Sequence, residues 1–489
     1  MNLNHNILFR LVLFLVGSFF LLSCSSRQDV KLGDGVVEDS LRQITGVTTK
    51  SLESTLSKTS LGLDDLFVLA VEKTERIALK NEATNQANYG KNRAIAGFLP
   101  TLSYVYNKFY SVPGHTPDPS PLDNYKTYQA LQTGNYAALL PSQTTSSNLP
   151  PTVGAGSRLL LSFPLSNGLT SYQDYKAYKS LAEQRRMEAK FEAGRMYMEI
   201  ALAYYNVLQL EDSLTQAEES LNLHLLAVKE RRRLYSLGRI LQYELLNAET
   251  AVTNAQAVLE DTRSQLEQVQ LTLSTMVGME SKVNLVNIVP KFESPNSENV
   301  EDFLVKRYDV ISSKKGIEVA KANENKAWLG FAPNVAVNTF YSFPTPGQTH
   351  SKDVTAQLAI TMPLTPLTQV ADLEMAESAT KQAKLTASQT RRAAVQEIQN
   401  AIQSLKNSEK LFGIYEKAYQ FALETLKSQE SAYRLGRSSL VDLIGTKIST
   451  LNSKMTLQKM NYQRHLNRVV LGVAVGELPL LAESKTPEN

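Results

Sequence analysis

The chain has 489 residues, of which 43% are hydrophobic and 20% are charged, and its 51 basic and 48 acidic side chains give a formal net charge of +3. This balance gives no electrostatic reason to expect a nucleic-acid partner. The single cysteine, Cys24, excludes an intramolecular disulfide, and the five histidines lie singly, without the spacing of metal ligands. No nucleophile–base pair and no phosphate-binding loop stands out, so we expect no enzyme activity, no metal and no cofactor.

The first 23 residues have the pattern of a secretory signal peptide. Arg10 precedes an apolar run from Leu11 to Leu22, which is too short for a helix across the ~30 Å hydrocarbon core of a bilayer. The run leads into Ser23 and Cys24, and this sequence resembles the lipobox of bacterial lipoproteins. We interpret 1–23 as the signal peptide, Cys24 as the lipidated residue and 24–60 as a lipid-anchored extension. After Cys24 there is no run of 18 apolar residues, so the sequence predicts no further membrane-spanning helix.

The rest of the chain consists of two similar halves. Tyr235 to Arg239 and Tyr433 to Arg437 share the pattern Tyr-x-Leu-Gly-Arg and lie 198 residues apart. Three further matches occur in the same order: Phe98-Leu99-Pro100 with Phe331-Ala332-Pro333, Ser162-Phe163-Pro164-Leu165 with Thr361-Met362-Pro363-Leu364, and Glu244-Leu245-Leu246 with Asp442-Leu443-Ile444. We infer a duplication, with a first repeat at 61–289, a second repeat at 290–478 and a C-terminal tail at 479–489.

Each repeat is predicted to contain a helix and then one hairpin of β-strands, at 98–166 and at 331–365. Asp353 to Leu364 alternates between apolar and polar residues without a fault, which is typical of a two-faced strand. Three other segments alternate less regularly and are also predicted to be strands: 102–110, 157–165 and 334–341. Each of the four is long enough to cross a bilayer when tilted.

The first hairpin is 34 residues longer than the second between its two proline landmarks. Most of the excess lies in 112–153, which is rich in Pro, Ser, Thr and Asn. We interpret this stretch as a solvated loop.

Each repeat ends in a long helical hairpin, at 168–278 and at 367–478. Neither segment contains a proline. In the returning helix of the first hairpin, a seam of residues, all apolar except Thr262, steps by three and four, as in a coiled coil. They are Leu245, Ala248, Val252, Ala255, Leu259, Thr262, Leu266, Val269, Leu273 and Met276.

These elements predict a mainly α-helical protein with a small membrane β-barrel part. Four strands cannot close a barrel, and unpaired strand edges cannot face lipid. We therefore expect three chains to share a barrel of about twelve strands, with polar faces toward water and apolar faces toward lipid. The long helices of the three chains would form a second, coiled-coil barrel that continues the first.

From about Leu61 to Leu478 the chain resembles the TolC-like outer-membrane efflux channels, in particular their lipidated branch. The motifs that carry the resemblance are Leu63-Asp64-Asp65-Leu66 followed by Ala70, the two Phe-x-Pro steps, Arg307-Tyr308-Asp309-Val310, and the two Tyr-x-Leu-Gly-Arg turns with a following acid. The family usually has proline where Tyr308 stands.

The resemblance implies a homotrimer in the outer membrane with a long periplasmic extension. It also implies a passive duct for efflux of small molecules, working with a periplasmic adaptor (membrane fusion) protein and an inner-membrane transporter. Two alternatives stay open, namely the duct of a type I protein secretion system and a lipid-anchored coiled-coil scaffold without a pore. The alternation in 353–364 favours a duct, because a scaffold needs no strand of bilayer length.

The two glycine turns are the first candidate site. A glycine after a long helix is typical of a C-cap, where it adopts a left-handed conformation. The resemblance further implies that the turns dock the adaptor. Their residues are Leu237, Gly238, Arg239, Leu435, Gly436 and Arg437.

Asp442 and Tyr433 form the second candidate site. The resemblance places a pore-constricting carboxylate at Asp442, and Tyr433 could bond across helices there. The alternative for Asp442 is an acid at a helix start, which the helix dipole favours. The chain departs from better-known members of the family at Gly445, where they have a second acid, and at Ser438, where some have a basic residue.

Overall fold

A computed structural model describes residues 44–47, 49–58, 60–109, 154–279, 284–287, 300–343, 354–362 and 364–477. Cys24 and the predicted signal peptide lie outside the described residues, as do the predicted loop at 112–153 and the tail at 479–489.

Long helices and one small sheet make up the described chain. In chain order the elements are α1 Thr49–Leu56, α2 Leu63–Lys73, α3 Glu75–Ala96, β1 Thr101–Phe109, β2 Gly154–Pro164, α4 Asn167–Ser236, α5 Gln242–Val277, α6 Val300–Leu304, α7 Tyr308–Leu329, β3 Asn334–Ser342, β4 Val354–Thr361, α8 Leu367–Arg434 and α9 Leu440–Val475. At 70 residues, α4 would measure about 105 Å if straight.

Among the described residues, no helix combines the length and the apolar character that crossing a membrane requires.

The four predicted strands are confirmed, and they form one antiparallel sheet in the order β1-β2-β3-β4. The two hairpins lie side by side because β2 of the first pairs with β3 of the second, for example Leu160 with Phe340. The last strand was predicted over 353–364, but the ladder ends at Thr361. Its partner there is Asn334, the first residue of β3, so no strand remains for later residues to pair with.

The register gives the sheet an apolar face and a polar face. The apolar face carries Leu102, Tyr104, Tyr106, Leu159, Leu161, Phe163, Val335, Val337, Thr339, Tyr341, Val354, Ala356, Leu358 and Ile360. The predicted alternation of β4 is therefore confirmed. In the single chain this face is not covered, since Leu102, Leu358 and Ile360 are 68%, 61% and 63% exposed.

The polar face carries most of the serine, threonine, asparagine and glutamine side chains of the sheet, together with Val105, Leu160 and Phe340. It includes Thr101, Ser103, Ser162, Asn338, Thr355, Gln357 and Thr361. The hydroxyl of Ser162 donates a hydrogen bond to Oδ1 of Asn338 at 2.7 Å, across the β2–β3 pair.

The predicted seam of α5 is confirmed over nine of its ten positions. From Leu245 to Leu273 every seam residue is buried or half-buried. Met276 is exposed, and the next residue, Val277, is fully buried in its place. The last step of the buried stripe is thus four residues rather than three, as the 3.6-residue period of a straight helix requires at intervals.

The chain divides into two compact units, and each contains segments of both sequence repeats. The first unit comprises the described residues within 1–79, 190–298 and 397–489, and the second comprises those within 80–189 and 299–396.

In the second unit, polar contacts and one close backbone approach hold the helices together. Lys315 and Lys326 of α7 bind Glu183 and Asp174 of α4, at 2.8 and 2.7 Å. Gly90 of α3 lies against the ring of Tyr178, and an added Cβ there would stand 2.4 Å from Cδ1 of that ring. Only a glycine fits at this point unless the ring moves.

In the first unit, α2 packs on α4 through an aromatic contact and a hydrogen bond. The rings of Phe67 and Tyr197 meet edge to face at 5.3 Å, and the Tyr197 hydroxyl donates to Oδ1 of Asp64 at 2.8 Å. Asp64 and Asp65 lie in the first turn of α2, where the helix dipole favours negative charge. Asp64 therefore stabilises both the helix start and its packing.

A buried polar cluster joins α4 to α9 in the same unit. The hydroxyl of Tyr462 and the amide of Gln458 both donate to Oδ2 of Asp212, at 2.7 and 3.0 Å. Beside them the imidazole of His465 stacks on Tyr205 at 6.0 Å and is 4% exposed, and its Nδ1 has no hydrogen-bond partner among the described residues. Sequence analysis did not find this cluster.

His465 makes the stability of the fold depend on pH. Burial, together with the positive charges of Arg464 and Arg468, lowers its pKa to about 4 from the ordinary 6.5. The unfolded chain binds this proton at an ordinary pKa, so the free energy of unfolding is highest above pH 6.5. It should decrease as the pH falls toward 4, by up to about 3 kcal/mol.

We predict that His465→Phe, which keeps a ring beside Tyr205 but cannot be protonated, reduces the acid-induced loss of stability. Thermal unfolding followed by circular dichroism at pH 7.5 and at pH 5 measures this effect. The wild type should lose more of its Tm on acidification than the variant. An equal loss in both proteins would show that other groups cause the acid sensitivity.

Candidate functional site

The two predicted turn motifs lie at the ends of the helical hairpins. The first turn joins α4 to α5, and the second joins α8 to α9. Gly238 and Gly436 have φ values of +66° and +71°, the left-handed region that glycine adopts without strain.

The two turns have the same hydrogen bonds. In the first, the amide of Arg239 donates to the carbonyl of Leu234 and the amide of Gly238 to that of Tyr235, each at 2.9 Å. In the second, Arg437 donates to Ala432 and Gly436 to Tyr433 at the same distances. This pair of bonds is the Schellman motif, so both glycines are the C-caps that the sequence predicts.

The side chains of the turns face outward. Leu237 and Leu435 are 58% and 69% exposed, and Arg239 and Arg437 are exposed and form no ion pair with any residue that the structure describes. An added Cβ at either glycine would meet nothing within 4 Å. Each turn therefore offers a leucine and an arginine to solvent or to a partner.

Asp442 belongs to a capping box at the start of α9. The hydroxyl of Ser439 accepts a hydrogen bond from the Asp442 amide at 3.1 Å, and Oδ2 of Asp442 accepts from the Ser439 amide at 3.3 Å and from its hydroxyl at 2.6 Å. This geometry gives Asp442 a helix-start role. The carboxylate is nevertheless exposed, so it also contributes a charge at this surface.

Glu244 occupies the equivalent position at the start of α5, three residues after Leu241. Leu241 has no side-chain acceptor, and Oε1 of Glu244 lies 3.5 Å from its amide. The sequence match between the two repeats aligns Glu244 with Asp442. This match was the signal by which Glu244 could have been included as a candidate site residue.

Tyr433 and Ser438 have partners within the same unit. Tyr433 is 40% exposed and lies near Arg233 of α4, whose pKa is raised mainly by its hydrogen bonds to Glu230 and in part by this tyrosine. Ser438 accepts a hydrogen bond from the Gln429 amide at 2.5 Å. Gly445 is exposed in α9 and provides no acid there.

Two grooves adjoin the turns, and each combines an apolar floor with charged edges. The first, between α4 and α5, has Leu225, Val228 and Val252 at its floor and Arg232 and Glu249 at its edge. Arg232 and Glu249 form an ion pair at 2.8 Å.

The second groove lies between α4 and α9, where Leu226, Leu440 and Leu443 adjoin Lys229 and Lys447. Sequence analysis missed both grooves. The walls of the second come from α4 and α9, which lie far apart in the sequence.

We predict that Gly436→Ala lowers the Tm of the protein, because alanine in the left-handed region lowers the free energy of unfolding by about 1 kcal/mol or more. Gly445→Ala is the matched control. Gly445 lies inside α9 with nothing within 4 Å of an added Cβ, and alanine there should stabilise the helix by up to about 1 kcal/mol. Thermal unfolding of the two variants should therefore move in opposite directions. A Gly436→Ala protein as stable as the Gly445→Ala protein would contradict the role of the turn.

Neither a protein-family model nor a curated protein sequence matches the chain. Solved structures do match over most of its length. The CmeC outer membrane channel of Campylobacter jejuni aligns with a TM-score of 0.70 at 15% identity, covering 90% of this chain and 91% of that one. The outer membrane protein VceC of Vibrio cholerae aligns with a TM-score of 0.68 at 16% identity, covering 85% of this chain and 96% of that one.

The open state of the MtrE outer membrane channel of Neisseria gonorrhoeae aligns with a TM-score of 0.64 at 18% identity, covering 89% of this chain and 93% of that one. The TM-scores establish a shared fold, and at identities this low the alignments show nothing beyond the fold. The long helical hairpins, the four-stranded sheet and these alignments agree with the motifs noted in the sequence, and the chain has the fold of the TolC-like outer-membrane efflux channels.

Proposed function

We propose that three copies of the chain form an outer-membrane channel, a passive duct through which small molecules leave the cell. The observation that carries this proposal is the amphipathic four-stranded sheet, whose apolar face is exposed in the single chain. In a sheet surrounded by water, the apolar face would be buried against other parts of the protein. In a sheet within a lipid bilayer, the apolar face instead points outward and contacts lipid.

The edges of the sheet support a trimer. β1 and β4 are the outer strands, and each has one side without a paired strand among the residues that the structure describes. In lipid every backbone amide and carbonyl needs a hydrogen-bond partner. Pairing β1 of one copy with β4 of the next satisfies both edges, and three copies close a barrel of about twelve strands.

The long helices support the same assembly. They expose large apolar side chains in the single chain, among them Met375, Leu385 and Phe421 at 63%, 71% and 66%. Burying such side chains against neighbouring copies is favourable by roughly 25 cal/mol per Å² of apolar surface. A ring of helices from three copies would cover them.

The exposed turns and the two grooves support the proposed adaptor partner. A periplasmic adaptor protein would dock at the two turns, placing apolar side chains against Leu237 and Leu435 and along the two grooves. An inner-membrane transporter would supply the energy for transport. Cys24, in outer-membrane lipid, would anchor each copy.

The experiment that tests the proposal measures location, assembly and transport together. The wild type should fractionate with the outer membrane, cross-link as a trimer, and form conducting pores in planar lipid bilayers. Deletion of the gene should increase cellular retention of toxic small molecules if the duct serves efflux, and should abolish release of a protein substrate if it serves type I secretion.

The Cys24→Ser variant is the control for the anchor. It should lose incorporation of labelled palmitate but still assemble as a trimer, because the strands hold the protein in the membrane. A soluble monomer of the wild type, without pores, would contradict the duct and would leave the scaffold as the remaining function.

The pore constriction is proposed to lie at the helix starts. In a trimer, three Asp442 carboxylates around one axis attract cations and repel anions, and the three Glu244 carboxylates stand at the equivalent positions of α5. Tyr433, near the second turn, would contribute to the same narrow region.

We predict that Asp442→Asn reduces the cation preference of the pore about threefold, because it removes three charges. The asparagine oxygen still accepts the hydrogen bonds from Ser439, so the capping box is retained. Ser439→Ala is the matched control, since it weakens the cap by about 1 kcal/mol but keeps the carboxylate. The reversal potential in a KCl gradient should change in Asp442→Asn and not in Ser439→Ala. If it changes in neither, Asp442 serves the helix start alone.

A further inference from the structure

Arg158 is the only charged residue among the strand residues whose side chains the structure describes. It lies in β2, where it pairs with Val105 of β1 and Ser342 of β3. By the alternation of the strand it shares the polar face with Ser162, and the ladder places Asn338 and Gln357 on that face as well. The sheet therefore has one described charge per chain, and that charge is positive and on the polar face.

Phe340 holds the guanidinium over this face. Cζ of Arg158 lies 5.2 Å from the centroid of the Phe340 ring, within the range of a cation–π contact. Phe340 pairs with Leu160 and Thr355, so it lies on the same face as Arg158. The contact holds the Arg158 side chain beside Phe340, and Arg158 remains exposed to solvent.

The charge of Arg158 is not neutralised within the described chain. It forms no ion pair with any described residue, and the strand residues with described side chains include no carboxylate. An exposed cation that is stacked on a ring but has no carboxylate partner can attract a mobile anion.

We propose that three Arg158 side chains form a ring of positive charge inside the barrel, and that this ring makes the outer-membrane part of the pore favour solutes with negative charge. The inference rests on the proposed trimeric duct, in which the polar face lines water. Rings of arginine or lysine select anions in pores, and low-dielectric walls strengthen the field of such a ring. The substrate class that this segment favours is thus small anions.

The test uses purified full-length protein in planar lipid bilayers, with the reversal potential measured in a KCl gradient. Arg158→Gln should lower the ratio of chloride to potassium permeability about threefold relative to the wild type. Arg158→Lys, which keeps the charge, should stay near the wild-type ratio. Asp442→Asn should move the ratio in the opposite direction, so the two rings are distinguished by sign.

Gln357 provides an independent test of the polar face. Gln357→Glu would add a carboxylate per chain opposite Asn338 and should also lower the chloride-to-potassium ratio, whereas Gln357→Asn should not. Circular dichroism and trimer cross-linking identify variants that have failed to assemble.

Two results would overturn the inference, and they are distinguishable. If Arg158→Gln conducts with the wild-type reversal potential, the ring does not select ions although the duct exists. If the wild type forms trimers in lipid but no conducting pore, the proposed duct is wrong and the ring has no role. A change of the reversal potential in Arg158→Gln, together with no change in Arg158→Lys, would support the proposed arginine ring.

Discussion

The pairing of β2 with β3 determines how the two repeats combine. β1 with β2 and β3 with β4 pair within a repeat, and the ladder from Arg158–Ser342 to Pro164–Ala336 joins the two hairpins into one sheet. A slip of one residue in this ladder would turn Leu159, Leu161 and Phe163 toward the polar side chains. The Ser162–Asn338 hydrogen bond and the Arg158–Phe340 contact both cross this pair and favour the observed register. The amphipathic character of the sheet thus depends on contacts between residues about 180 positions apart.

The two repeats share a turn but differ in how the following helix begins. Both turns have the same glycine conformation and the same hydrogen bonds. Ser439 then caps α9 with its hydroxyl, whereas Leu241 has no side-chain acceptor for α5. Loss of such a cap costs about 1 kcal/mol, so the start of α5 is expected to fray more readily than that of α9. The two matching turns are therefore followed by helices whose first turns differ in stability.

The features predicted from sequence are those set by local periodicity. The two faces of β4 and the seam of α5 repeat every two and every three to four residues, and both were recovered nearly residue by residue. The two glycine turns were also predicted, because a short motif within one segment marks each of them. The contact of Tyr462 with Asp212 and the walls of the groove between α4 and α9 were not predictable, because each joins residues from helices distant in the sequence and no pattern within one segment marks them. The capping box was an available signal that was not used, since serine three residues before an acid is a known helix-start pattern.

The close approach of Gly90 to Tyr178 means that substitutions at these two positions constrain each other. A Cβ at residue 90 would overlap the tyrosine ring, so a chain that acquires alanine at 90 is stable only if residue 178 is small or its ring has been displaced. Substitutions at the two positions should therefore be compensatory and occur in pairs during evolution. In related sequences such covariation would report the contact between α3 and α4 directly, and it would persist where overall sequence similarity has been lost.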